Sequence, residues 1–149
     1  MKIFTLFLSF FPQLILSIVF AQSGFDKMSD WNGNRTWLQS YFANSPFKSI
    51  TTWLLIILTA LETLAGFLGL MGVTVGLIWG LDGFASIALS LSMVFTGLAL
   101  AGLMLGQRLA KDYAGAANLV GYCLLLALSF LFYSLITHQQ INNLVTLGH

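Results

Sequence analysis

Glu62 is the residue most able to do chemistry in this chain. It is the one charged residue between Ser49 and Leu81. It sits in the apolar run TWLLIILTALETLAGFLGLMG, where an unpaired carboxylate is strongly disfavoured. Three states relieve that cost. The carboxyl is protonated and neutral, or it pairs with a cation, or it lines a polar cavity. Each belongs to the interior of a helix bundle, and the functional reading is a proton-linked, catalytic group. The competing reading is a buried hydrogen bond to Gln13, Thr59, Thr63 or a serine of a neighbouring helix.

The other charges gather mainly in two polar stretches. Ala21 to Lys48, AQSGFDKMSDWNGNRTWLQSYFANSPFK, carries Asp26, Lys27, Asp30, Arg35 and Lys48. Gln107 to Gly115, QRLAKDYAG, carries Arg108, Lys111 and Asp112, with Tyr113 and Tyr122 near the same end. If the stretches meet at a bundle mouth, they form either an ion-pair cap or a ligand site. In the second case Lys27, Arg108 and Lys111 are the expected ligand contacts.

Several chemistries lack their residues. His138 and His149 are the only histidines and lie past the last apolar run. The sequence therefore offers no intramembrane bis-His pair for haem, no Cys/His metal spacing and no Ser-His-Asp set inside a bundle. No phosphate-binding glycine loop is present. The lone Cys123 reads as a small buried hydrophobe, not as a disulfide or redox pair. The expectation is no haem and no metal, so any electron transfer needs a bound quinone or a partner subunit. A net charge of +1 with no basic patch gives no footprint for nucleic acid.

The elements that must position these groups are apolar helices. With 58% hydrophobic and 7% charged residues, a soluble fold of this size could not cover its surface. A mean hydropathy of +0.88 says the same. The pattern predicts an all-α, integral membrane four-helix bundle as a single domain over residues 1–149, in contact with a lipid bilayer. The spans fall at about 3–21, 51–72, 84–106 and 116–137, with a polar loop at 22–48.

The first span, Ile3 to Ala21, is interrupted by Pro12 and Gln13, and Gly24 is a signal for its end. A cleaved secretory signal, with Val19 and Ala21 before the cut, is the alternative reading. In the first loop Asn32-Gly33 marks a turn, and Asn34 is an N-cap for a helix from Arg35 to Ala43. Trp37, Leu38, Tyr41 and Phe42 share one face of it, as in an interfacial amphipathic helix. Ser45-Pro46 restarts helix. Ser49 to Leu81 would span about 50 Å as one helix, longer than a bilayer core. The second span is therefore expected to stop near Gly72, with Val73 to Leu81 as an apolar connection. Asp82-Gly83 opens the third span. There Ser86, Ser90, Gly97, Ala101, Gly102 and Gly106 allow close packing. The tail from His138 to His149 carries no clear signal.

Four spans would place the first and third loops on one side of the membrane. That side holds Lys27, Arg35, Lys48, Arg108 and Lys111, opposite Lys2 and Asp82. The positive-inside rule then puts both termini outside, whereas the start at Lys2 argues the reverse.

Three stretches together resemble the DoxX family of small four-span membrane proteins. They are QSGFDKMSDWNGN (Gln22 to Asn34), LETLAGFLGLMG (Leu61 to Gly72) and GQRLAKDYAG (Gly106 to Gly115), and their order spans nearly all of residues 1–137. The resemblance maps family positions onto Gly24, Lys27, Glu62 and Gly66. It implies a membrane role in redox or thiol metabolism, since the family is related to the membrane subunit of a thiosulfate:quinone oxidoreductase. It also implies soluble or membrane redox partners and a bacterial cytoplasmic membrane. Many members carry an Arg in the first span, where this chain has Gln13. The expected function is a subunit or accessory of a quinone-linked redox or oxidative-stress complex. Alternatives are a non-enzymatic assembly subunit and a small transporter with Glu62 in its pathway.

Overall fold

The computed structural model describes the backbone of residues 2–81 and 83–147, and the side chains of these apart from 2–6, 8, 143–145 and 147. The elements are α1 (Lys2–Ser29), α2 (Trp31–Tyr41), a single 3-10 turn (Lys48–Ile50), α3 (Thr51–Trp79), α4 (Gly83–Leu109) and α5 (Tyr113–Leu147). The described residues contain helices and no strand, which agrees with the all-α expectation. Three segments are long and apolar enough to cross a membrane: Lys48–Trp79, Gly83–Leu109 and Tyr113–Asn142.

Helix boundaries depart from expectation in several places; one is Ser45-Pro46, which opens no helix, since the chain turns over 42–47 before the 3-10 turn. Helix α1 does not end at Gly24 but runs on to Ser29, through Pro12 and past Lys27. Gly24 is used for contact instead, because a Cβ there would lie 2.5 Å from Thr63 Oγ1 and 3.0 Å from Thr63 N. Helix α2 begins at Trp31, capped by Asp30 and not by Asn34. The Asp30 carboxylate accepts the Gly33 N–H at 3.0 Å, while Asn34 Nδ2 donates to the Asp30 carbonyl at 2.8 Å. Asn32-Gly33 therefore lies in the first turn of the helix.

Helix α3 is continuous over its 29 residues, so Val73 to Trp79 is helix and not a connection. At about 43 Å it exceeds a bilayer core, which tilting or protrusion accommodates. Gly72 and Gly76 do not break it because each receives a neighbour: Leu89 Cγ would sit 2.8 Å and Phe10 Cζ 3.2 Å from an added Cβ. The helix stops at Gly80, whose φ of 95° suits glycine and whose N–H reaches the Gly76 carbonyl. Asp82, expected in the following turn, lies outside the described residues, as do Lys2's side chain and His149. Finally, α5 begins three residues before the expected span and continues to Leu147, through His138.

Helices α1 and α3 form the centre as an antiparallel pair. On α1 the inward positions are Phe10, Gln13, Ser17, Phe20, Gly24 and Lys27, alternating three and four apart as in a coiled-coil seam. On α3 they are Leu55, Thr59, Glu62, Gly66, Gly69, Val73 and Gly76. Added Cβ atoms on the α3 glycines would meet Ala21 from Gly66, Ser17 from Gly69 and Phe10 from Gly76. Small residues thus let two backbones approach closely, without a hydrophobic driving force in lipid.

Helix α4 packs on the other flank of α3, antiparallel to it. Ser92 ties the three helices together. Its hydroxyl donates to the Ala65 carbonyl at 2.6 Å and accepts from Gln13 Nε2 at 2.8 Å. Gln13 is thus a helix–helix hydrogen-bonding residue. Most of the glycines that make tight contacts between helices lie on α3, joined by Gly24 of α1 and Gly106 near the end of α4. On α4, Gly97 meets only Leu126, at an ordinary 3.6 Å, and Gly102 meets nothing within 4 Å. The apolar core joins Leu16, Phe20, Ala65, Ala99, Leu100 and Leu119. Helix α5 closes the side between α4 and α1.

Candidate functional site

The continuation of α1 past Gly24 decides the surroundings of Glu62. It places Lys27 on the inward seam, one turn beyond Ser23. Lys27 Nζ lies 2.7 Å from Glu62 Oε2, the one ion pair among the described residues. Glu62 is 1% exposed and the Lys27 side chain 17%. Of the three states open to Glu62, the structure has the pairing with a cation. The hydrogen-bond alternatives are taken up elsewhere. Thr59 donates to the Leu55 carbonyl at 2.7 Å and Thr63 to the Thr59 carbonyl at 2.8 Å.

Lys27 also donates to Ser23 Oγ at 2.7 Å, with the Ser23 carbonyl more distant at 3.5 Å. Two strong bonds therefore occupy most of its three-donor capacity. A buried pair of this kind is tolerated when each partner compensates the other; removing one leaves an uncompensated charge.

Above the pair is a chamber of about 420 Å3. Helix α1 stops at Ser29, short of the start of α3, and α2 crosses the space it leaves. The α2 face bearing Asn34, Trp37, Leu38 and Tyr41 forms one wall. Leucines of α3, including Leu54 and Leu58, form another, and Leu103, Gly106 and Gln107 of α4 complete it. Lys27 lines the chamber, whereas Glu62 lies behind it. Phe42, just past α2, is buried against Gly106, where an added Cβ would sit 3.2 Å from its ring.

The two polar stretches meet here, as the loop topology predicts. Tyr41 Oη donates to Asp112 Oδ2 at 2.9 Å, and the other oxygen of Asp112 accepts the Gly115 N–H at 2.8 Å. The Gly115 bond and then the Tyr41 bond hold the Asp112 carboxyl below its ordinary value. Burial, then the Asp112 hydrogen bond and charge, push Tyr41 up to about 12. The phenol–carboxylate contact therefore persists throughout the neutral range.

The mixed-charge cap expected across the mouth does not form as drawn. Lys27 turns inward, Asp30 caps α2 and Asp26 is exposed. Arg108 lies over the Tyr113 ring, 5.2 Å from its centroid, and Lys111 is exposed with φ 61°. Neither Arg108 nor Lys111 lines the chamber. Its polar groups are Lys27, Asn34, Tyr41, Gln107 and Asp112, and Gln107 Oε1 is buried without a hydrogen-bond partner. Asn34 and Tyr41 drew attention in the sequence as a cap and as part of an aromatic face; nothing marked Gln107 or Ser23. Among the described residues no group of His, Cys, Asp or Glu is placed to hold a metal ion.

Compared with protein-family models, curated proteins and solved structures, the chain matches none.

Proposed function

We propose that the chain is a DoxX-like four-span membrane bundle, with α1 as the fourth span, that binds a quinone-type ligand in the chamber beneath α2. On this reading it serves a quinone-linked redox or thiol complex of a bacterial cytoplasmic membrane, and α2 lies at the lipid headgroups. The observation that carries the reading is the Lys27–Glu62 pair, buried in the bundle and touching the chamber through Lys27. A chamber of about 420 Å3 is within the usual size of small-molecule sites. Leucine walls and a stacked Trp37–Tyr41 pair suit a flat apolar ring. Gln107 and Asn34 supply amide donors at its edge, and Lys27 can exchange a bond to Ser23 for one to a ligand carbonyl. Glu62 then holds or releases a proton as the ligand changes charge, through its contact with Lys27.

A second reading is a non-enzymatic assembly subunit. It is favoured by α5, whose apolar residues Leu124, Leu128, Phe130, Leu131 and Leu135 are exposed. Purification in mild detergent separates the two. Organic extraction of the purified protein should yield near-stoichiometric quinone, reduced at least several-fold in Lys27→Met. Stoichiometric protein partners without quinone would favour the assembly reading and remove the first.

A further inference from the structure

We infer that Tyr41 is a strap that gates the chamber, opening when its hydroxyl leaves Asp112. This rests on the reading of the chamber as a ligand site, and it concerns how that site is reached. Helix α2 is held weakly along its length, since none of its residues is buried. Its two ends are fixed. At one end Asp30, in a non-helical conformation (φ −122°, ψ 63°), joins it directly to α1. At the other, Phe42 is buried beside Gly106 and Phe47.

Between these anchors the side chain of Tyr41 reaches from α2 to the α4–α5 connection. Both Tyr41 and Asp112 line the chamber, so their hydrogen bond closes one side of it. Among the described residues no other side-chain hydrogen bond ties α2 to α3, α4 or α5; Asn34, Thr36 and Ser40 bond within the segment itself. Asp112 is a fixed point for the strap, because its second oxygen caps the start of α5. The tie is therefore a single charge-assisted bond on a rigid post. Breaking it releases the ring from the α4–α5 connection, leaving only its contacts with Trp37 and Phe42 of its own segment, without disturbing the core or the Lys27–Glu62 pair.

The test reads access and needs no quinone, so it stands apart from the ligand proposal. A reporter Leu58→Cys is placed on the chamber wall of the full chain, with Cys123→Ala to remove the native thiol. Its reaction rate with a small charged methanethiosulfonate reagent is measured in lipid nanodiscs. Tyr41→Phe should raise that rate about tenfold, the scale of one hydrogen bond to a charged group. Native Cys123, in the groove between α4 and α5, is the control, and its rate should not change on Tyr41→Phe. An unchanged reporter rate, or equal acceleration at Cys123, overturns the gate. Leu54→Cys, on the same wall, replaces the reporter if Leu58→Cys does not fold. If the gate holds while extraction finds no quinone, only the ligand assignment fails.

Discussion

Replacing Lys27 with methionine should destabilise the folded protein by about 3–5 kcal/mol, as expected when one member of a buried ion pair is removed. Glu62, 1% exposed, would be left in the seam with no cation opposite. Its neighbours cannot take over, because Thr59 and Thr63 already donate to carbonyls of their own helix. The double variant Lys27→Met with Glu62→Leu removes both charges and should recover most of the loss. Thermal unfolding followed by helical circular dichroism in nanodiscs reads both. Equal stability of Lys27→Met and the parent protein would show that the pair does not exist in the bilayer. A double variant as unstable as the single would show that packing, not charge, is at stake.

Gly66→Ala should cost about 1–3 kcal/mol, the range for overpacking a close contact. The added methyl would stand 2.5 Å from Ala21 Cα and 2.7 Å from Ala21 Cβ. Backbone cannot rotate aside as a flexible side chain can, so α1 must move off α3. That movement opens the seam one turn from Glu62 and loosens the contact of Gly24 with Thr63 beside it. Gly102→Ala provides the comparison, since nothing lies within 4 Å of the position. It should be neutral or slightly stabilising through helix propensity. Comparable effects of the two substitutions on the unfolding midpoint would contradict the close α1–α3 approach.

Much of the architecture was legible because composition and helical length carry it. The polar stretches at Ala21 to Lys48 and Gln107 to Gly115 had to share an end if the apolar helices alternate, and Tyr41 meets Asp112 there. Glu62 was recognisable as interior because a carboxylate in an apolar run has few other places to go. Its partner was not legible. Gly24 reads equally as a helix stop and as a contact glycine, and only the second choice brings Lys27 onto the seam. The same ambiguity hid the continuity of α3, where Gly72 and Gly76 are contacts for Leu89 and Phe10. Glycine spacing marks a site of close approach or a break, and the neighbour that decides between them is distant in sequence.

The site beyond Glu62 shows a similar division. Lys27 was among the expected ligand contacts and does line the chamber, whereas Arg108 and Lys111 do not. Arg108, in the last turn of α4, lies over Tyr113 at the start of α5, and Lys111 in the connection is exposed with positive φ. Charge placement within a short connection depends on such turns, which residue types alone do not specify. Gln107 entered unmarked because an amide in a polar loop has no distinguishing pattern until its surroundings bury it.

The proposed quinone-type ligand would lie in the chamber against Trp37. Fluorescence titration of the protein in nanodiscs with a short-chain benzoquinone tests it most directly, since quinones quench nearby indoles. A ligand so placed gives a saturable quenching component that disappears in Trp37→Phe, over a linear background from Trp31 and the exposed Trp53 and Trp79. Linear quenching alone, or a saturable component that survives Trp37→Phe, would contradict it.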